Sequence, residues 1–337
     1  MDASDAARNA FKCVLEARKG EKAIIFVDHE KMDVGNAFTE GALKLGLQAR
    51  LIHLKPERGV FRKVVPTQIA KVLADQRPDV CINILRGVRE ETPFRIGLIQ
   101  LETEDPRLRL GHCPGVTVDM LTSGALALTD EEHREMQSFA DRLITRLHGA
   151  KEVRITNPAG TDVSLSVSGR RFFTDTRVDP TLMKWLNLPT GEVIVAPVEH
   201  SLTGRLVCDL AVGGIGKVST TVEIVADEGR IREVFSVDKE LLDGVRDSTG
   251  VDEWSSVVGE FAFGINSKAR LVEEFLEAEK VLGTIHIAFG NNMDMPGGSN
   301  CSKNHMDFLI SEPSVRVRYG DGSQSEMLRN GVFSLRG

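Results

Sequence analysis

The residues best suited to chemistry lie between Leu282 and Phe308, where His286 sits in a run of β-type residues and a Gly- and Asn-rich loop leads to His305-Met306-Asp307. On an extended strand, side chains two apart project from the same face, so the His305 imidazole and the Asp307 carboxylate would emerge together. That pair suits a divalent ion. His286 precedes His305 by 19 positions, a gap that a strand, a loop and a returning strand can close. Alone, such a histidine has a plainer reading as a hydrogen-bonded core residue.

Two glutamates extend the set. Glu192, in Thr190-Gly191-Glu192-Val193-Ile194-Val195, and Glu260, between Gly259 and Phe261, both stand in apolar surroundings. A carboxylate there is costly unless it is paired, hydrogen-bonded or metal-bound; the other reading is an exposed strand end. Glu192, Glu260, His286, His305 and Asp307 together make a possible metal-ligand set, compatible with Zn, Co, Mn or Fe. Glu192 or Glu260 could bridge ions or act as general base on a water. Glu199, followed by His200, is a further candidate catalytic carboxylate, with a solvated strand end as the alternative. Cys301 lies in the loop, four positions before His305, but its surroundings match no cysteine-nucleophile pattern. The Asn and Gly residues from Gly290 to Asn300 suit tight turns at a cleft.

The elements that must position these groups fall into two textures. Helical spacing over residues 5–18 is followed by strand-like Ala23–Asp28, a helical stretch closed by Gly46, strand-like Ala49–Leu54, a helix over Pro66–Gln76, and strand-like Asp79–Leu85 and Pro114–Leu121. Strands alternating with helices predict a parallel, doubly wound α/β domain. Neither a dinucleotide fingerprint nor a P-loop follows Asp28. An amphipathic helix over Glu131–Gly149 comes next, with His133 and His148 expected on its solvated side or end.

Beyond Lys151 apolar and polar residues alternate around turn signals, the pattern of antiparallel strands. The expectation is an α/β N-terminal domain over 1–150 and an α+β, largely antiparallel metal-binding catalytic domain over 151–337.

With 337 residues, the chain can bury a large core without disulfides. A net charge of −7 argues against nucleic acid and anionic membrane surfaces as partners. The 5 scattered cysteines fit a reducing compartment, and the N-terminus lacks the apolar core of a signal peptide, so a cytoplasmic location is expected.

The ordered elements Asn187-Leu188-Pro189-Thr190-Gly191-Glu192-Val193-Ile194-Val195-Ala196-Pro197, Gly259-Glu260, His286-Ile287-Ala288-Phe289-Gly290 and Asn300-Cys301-Ser302-Lys303-Asn304-His305-Met306-Asp307 resemble the thermophilic metallopeptidases, the family of aminopeptidases T and S. The resemblance covers residues 151–312 well and the first half loosely. It implies a homodimeric two-metal aminopeptidase, with an α/β N-terminal domain and a C-terminal domain carrying the divalent ions (Zn, Co or Mn), that acts on a peptide or small-molecule amide. Glu192, Glu260, His286, His305 and Asp307 fall on the family's ligand positions. The family's tyrosine a few residues after the first histidine has no counterpart, since its place falls near Met293. A related branch resembles 2,5-dihydroxypyridine 5,6-dioxygenase, which uses one Fe(II), places a histidine about where Glu260 stands, and lacks the histidine matching His286. Keeping both Glu260 and His286 favours the peptidase arrangement. The alternatives are a ring-cleaving oxygenase and a non-catalytic ligand-binding homologue.

Overall fold

A computed structural model describes residues 1–55 and 59–334. The chain divides into two compact units, Met1–Gln137 with Asp175–Thr190 and Ser138–Thr174 with Gly191–Gly337. Where a single cut near residue 150 was expected, the division runs through the helix Asp130–Leu147, and a later segment rejoins the first unit.

The first unit is an α/β layer. Its five-stranded sheet runs Gln48–Leu54, Lys22–Asp28, Val80–Leu85, Arg109–Pro114, Trp185–Asn187, and every pairing is parallel. The central strands are buried along almost their whole length, because helices such as Met32–Leu45 and Thr92–Thr103 leave no face open to water. Gly46 ends the helix Met32–Leu45 in the left-handed region (φ +83°), as its position in the sequence implies.

Two expectations in this unit need correction. The strand anticipated over Pro114–Leu121 is instead Arg109–Pro114, followed by a short helix over Val118–Thr122. Gly115 (φ +80°) turns the chain out of the sheet, and the Thr117 hydroxyl caps the helix by accepting from the Met120 N–H. His133 is buried rather than solvated, and burial pushes its imidazole down to about 4. His148 is exposed, as expected.

The second unit contains two antiparallel sheets. One has eight strands, in the order Arg230–Phe235, Val222–Asp227, Thr203–Cys208, Asp162–Ser166, Ala150–Thr156, Ser314–Tyr319, Gln324–Arg329, Val332–Phe333. The other has seven and carries the chemistry: Gly216–Lys217, Ala211–Val212, His305–Ile310, Ile285–Gly290, Val258–Gly264, Glu192–Val195, Phe173–Thr174.

Alternation on the four central strands of this second sheet sorts their residues. Phe261, Phe263, Ile285, Ile287, Phe289, Phe308 and Ile310 share one face and are all fully buried. Their rings pack edge to face, Phe261 on Phe263 at 4.8 Å and Phe289 on Phe308 at 5.8 Å. Truncating one such ring to alanine would cost roughly 3–5 kcal/mol. The opposite face carries the ionisable residues. Among the described residues no helix is long and apolar enough to cross a membrane.

Candidate metal centre

Strand register brings the five predicted ligands to one face. Glu260 pairs with Ala288 and Ala288 with Asp307, making one row; Ala262 pairs with His286 and Gly264 with Glu192, making the next two; His305 pairs with Gly290. Cross-strand partners point the same way, as do residues two apart along a strand. A β-bulge between Val258 and Glu260 sets this phase on the Glu260 strand. The small side chains of Ala262 and Ala288 lie in the same rows and leave room for the longer ones.

The distances are those of a cluster. His286 Nε2 stands 3.2 Å from Glu260 Oε1, 3.4 Å from Glu192 Oε1 and 3.8 Å from Asp307 Oδ1. His305 Nε2 lies 3.2 Å from Glu260 Oε2 and 3.3 Å from Asp307 Oδ1. Glu192, Glu260 and His286 are buried, whereas the His305 side chain is 33% exposed and forms the cluster's side toward solvent.

Electrostatics follow from this crowding. Burial alone would lower the His286 imidazole, but the carboxylates of Glu192, Glu260 and Asp307 reverse that and raise it to about 10. His305 is likewise driven up by Asp307 and Glu260 against its desolvation. Burial would raise Glu260, yet hydrogen bonds from the two imidazoles hold it far below the usual carboxylate range.

These residues fit a divalent ion. One imidazole nitrogen can donate a single hydrogen, so three carboxylates around His286 Nε2 are more than a proton there can satisfy, and a cation among them would balance the excess charge. Ligand atoms of Glu260, His286 and Asp307 lie within 4.8 Å of one another. His305 has the outer support that metal-bound imidazoles use: its Nδ1 lies 2.8 Å from the Asn291 carbonyl, which fixes the tautomer and leaves Nε2 facing the carboxylates. His286 Nδ1 is buried without a hydrogen-bond partner among the described residues.

Two residues that sequence reasoning missed belong to the same place. Glu279, Glu192 and His286 form a second group with ligand atoms within 4.8 Å. Lys280, itself 1% exposed, bonds Glu192 Oε2 and lies 2.7 Å from Glu279 Oε1. The only sequence signal is the order Glu277-Ala278-Glu279-Lys280 just before the site strand, which reads as a solvated helix end.

Gly264 admits this segment. A Cβ there would stand 2.2 Å from the Val281 carbonyl oxygen and 3.0 Å from that of Glu279.

Other sequence candidates lie elsewhere. Glu199 is not in either ligand group. It instead secures the loop after the His286 strand, accepting at 2.9 Å from both the N–H and the hydroxyl of Ser299, at 3.3 Å from Asn292 Nδ2, and at 2.5 Å from Arg170. Those donors hold its carboxyl below the usual range even though burial opposes them. Asn300 anchors the same loop through its Nδ2, which reaches the carbonyls of Gly290 (2.6 Å), Val257 (3.2 Å) and Trp254 (3.3 Å). His200 and Cys301 are exposed and in neither ligand group. Met293, at the place of the family's tyrosine, is 52% exposed. The single tyrosine, Tyr319, donates its hydroxyl to the Arg146 carbonyl at 2.5 Å.

The carboxylates and imidazoles gathered on one face of the antiparallel sheet have the donor set that metal-dependent enzymes use. The chain belongs to the thermophilic metalloprotease (M29) family, which residues 129–333 match. AmpT from Thermus thermophilus shares the fold, with a TM-score of 0.72 at 19% identity over 99% of each chain. So does 2,5-dihydroxypyridine dioxygenase from Pseudomonas putida, with a TM-score of 0.71 at 15% identity, covering 99% of this chain and 97% of that one. No curated protein matches the chain.

Proposed function

We propose that the protein is a metal-dependent hydrolase that cleaves an amide or N-terminal peptide bond with a metal-activated water. The observation that carries this is the convergence of Glu192, Glu260 and Asp307 on His286 Nε2, at 3.2–3.8 Å, in a chain of the metalloprotease family.

Glu260, His286, His305 and Asp307 hold the ion. When bound, a divalent ion such as Zn, Co or Mn supplies a polarised carbonyl and a water of lowered pKa. Glu192 is the general base: Lys280 fixes one of its oxygens and the other faces the cluster, so its position is set before substrate arrives. The loop held by Glu199 and Asn300 keeps Asn291 against His305 and so preserves the imidazole's orientation. His305, one-third exposed, marks the side from which substrate enters.

The test is a panel of aminoacyl and aromatic amides assayed with the chelated protein and with the protein reloaded with Zn, Co or Mn. Amide cleavage that disappears on chelation and returns on reloading is expected. Oxygen uptake on a dihydroxylated pyridine with Fe(II), and no amide cleavage with any metal, would replace this reading with ring-opening oxygenation.

A further inference from the structure

The two groups of possible ligands share His286. The Nε2 atom 3.4 Å from Glu192 is the same atom that stands 3.2 Å from Glu260, and its one lone pair can serve one ion. With His286 committed beside Glu260 and Asp307, a second ion would be left with Glu192 and Glu279. Lys280 already bonds both of those carboxylates.

Nor is Lys280 free to swing away. Its backbone is pinned to the end of the Glu260 strand, with the Asn266 N–H donating to the Lys280 carbonyl at 2.9 Å and the Leu282 N–H to the Asn266 carbonyl at 3.3 Å. The side chain is enclosed, and the missing Cβ of Gly264 is what lets this segment lie so close. A divalent ion placed on Glu192 and Glu279 would face the ammonium across a few ångströms in a site shielded from water, where like charges repel strongly.

We propose that the Lys280 ammonium occupies the charge-balancing place of a second cation, so that this centre takes a single divalent ion at Glu260, His286, His305 and Asp307. The proposal rests on the metal-dependent reading and narrows it: water activation, polarisation and substrate binding all fall to one ion and its neighbouring side chains. Glu192 and Glu279 then remain protein carboxylates bound to lysine, with Lys280 positioning Glu192.

Mn(II) titration of the metal-free full chain, followed by elemental analysis and electron paramagnetic resonance, tests it without reference to activity. About one equivalent per chain is expected, with the spectrum of an isolated Mn(II) ion; Lys280→Met should take about two and show a spin-coupled pair, while Lys280→Arg should stay near one. Two equivalents with a coupled spectrum in the unaltered protein would overturn the proposal, as would Lys280→Met remaining at one while its circular dichroism and melting stay native. If Lys280→Met does not fold, the spectrum of the unaltered protein decides between an isolated ion and a coupled pair. No Mn(II), Zn(II) or Co(II) bound to the unaltered chain is a separate result, which defeats the metal-dependent reading itself.

Discussion

His286 and Glu260 face each other across adjoining antiparallel strands with Nε2 3.2 Å from Oε1, although they are not register partners: His286 pairs with Ala262, and Glu260 with Ala288. The two alanines leave the diagonal open, so side chains from neighbouring rows meet over them. A second carboxylate, Asp307, and a second imidazole, His305, reach the same point from the next strand.

Removing a ligand from this cluster should empty it without unfolding the sheet, since the packed aromatic face lies on the other side of the strands. His305→Ala and Asp307→Ala are expected to lose metal retention by at least an order of magnitude while keeping a native far-UV spectrum. Elemental analysis after dialysis is the readout, and full metal content in either variant would remove that residue from the ligand set.

Glu199 should behave differently from the ligands. Glu199→Gln keeps the shape but weakens the bonds from Ser299 and Arg170, so it should cost about 1–3 kcal/mol of stability by denaturant unfolding. Metal stoichiometry should stay the same, with affinity falling as the loop loosens around Asn291. Complete loss of the ion with unchanged stability would make Glu199 a ligand after all.

How much of this was open to sequence reasoning depended on whether alternation or three-dimensional closure supplied the signal. His305 and Asp307 sit two apart on one strand, and Phe261 and Phe263 flank Ala262 on another, so their faces follow from a period of two. Glu279 and Lys280 had no such signal. Adjacent opposite charges after a short helix resemble a solvated end, and only the gap left by Gly264 brings them into the interior. The strand Arg109–Pro114 was hidden because the β-type residues Val116 and Val118 lie just past its end, beyond a glycine that reverses the backbone. Glu199 was legible as a carboxylate near the site but not as a clamp, because its partners Arg170, Asn292 and Ser299 are distant in sequence.

His133 predicts a specific acid sensitivity. Both of its ring nitrogens are buried without hydrogen-bond partners among the described residues, and its imidazole is held down at about 4 against an ordinary 6.5. The unfolded chain therefore takes up a proton below 6.5 that the folded chain refuses until about 4, so stability drains away as pH falls through that window. His133→Phe should remove this slope and relieve the unsatisfied nitrogens, raising stability by about 1–3 kcal/mol. Melting curves at neutral pH and near pH 5 should show the larger gain at the acid end, and an equal or smaller gain there would contradict the assignment.

The central claim is that side chains from three strands of one sheet hold a divalent cation. A crystal of the Mn- or Zn-loaded protein, measured at the absorption edge of that metal, tests it most directly. The account predicts an anomalous peak about 2.0–2.3 Å from the Nε2 atoms of His286 and His305 and from carboxylate oxygens of Glu260 and Asp307. A loaded crystal whose anomalous density lies away from these atoms, with the imidazoles still bonded to the carboxylates, would contradict it.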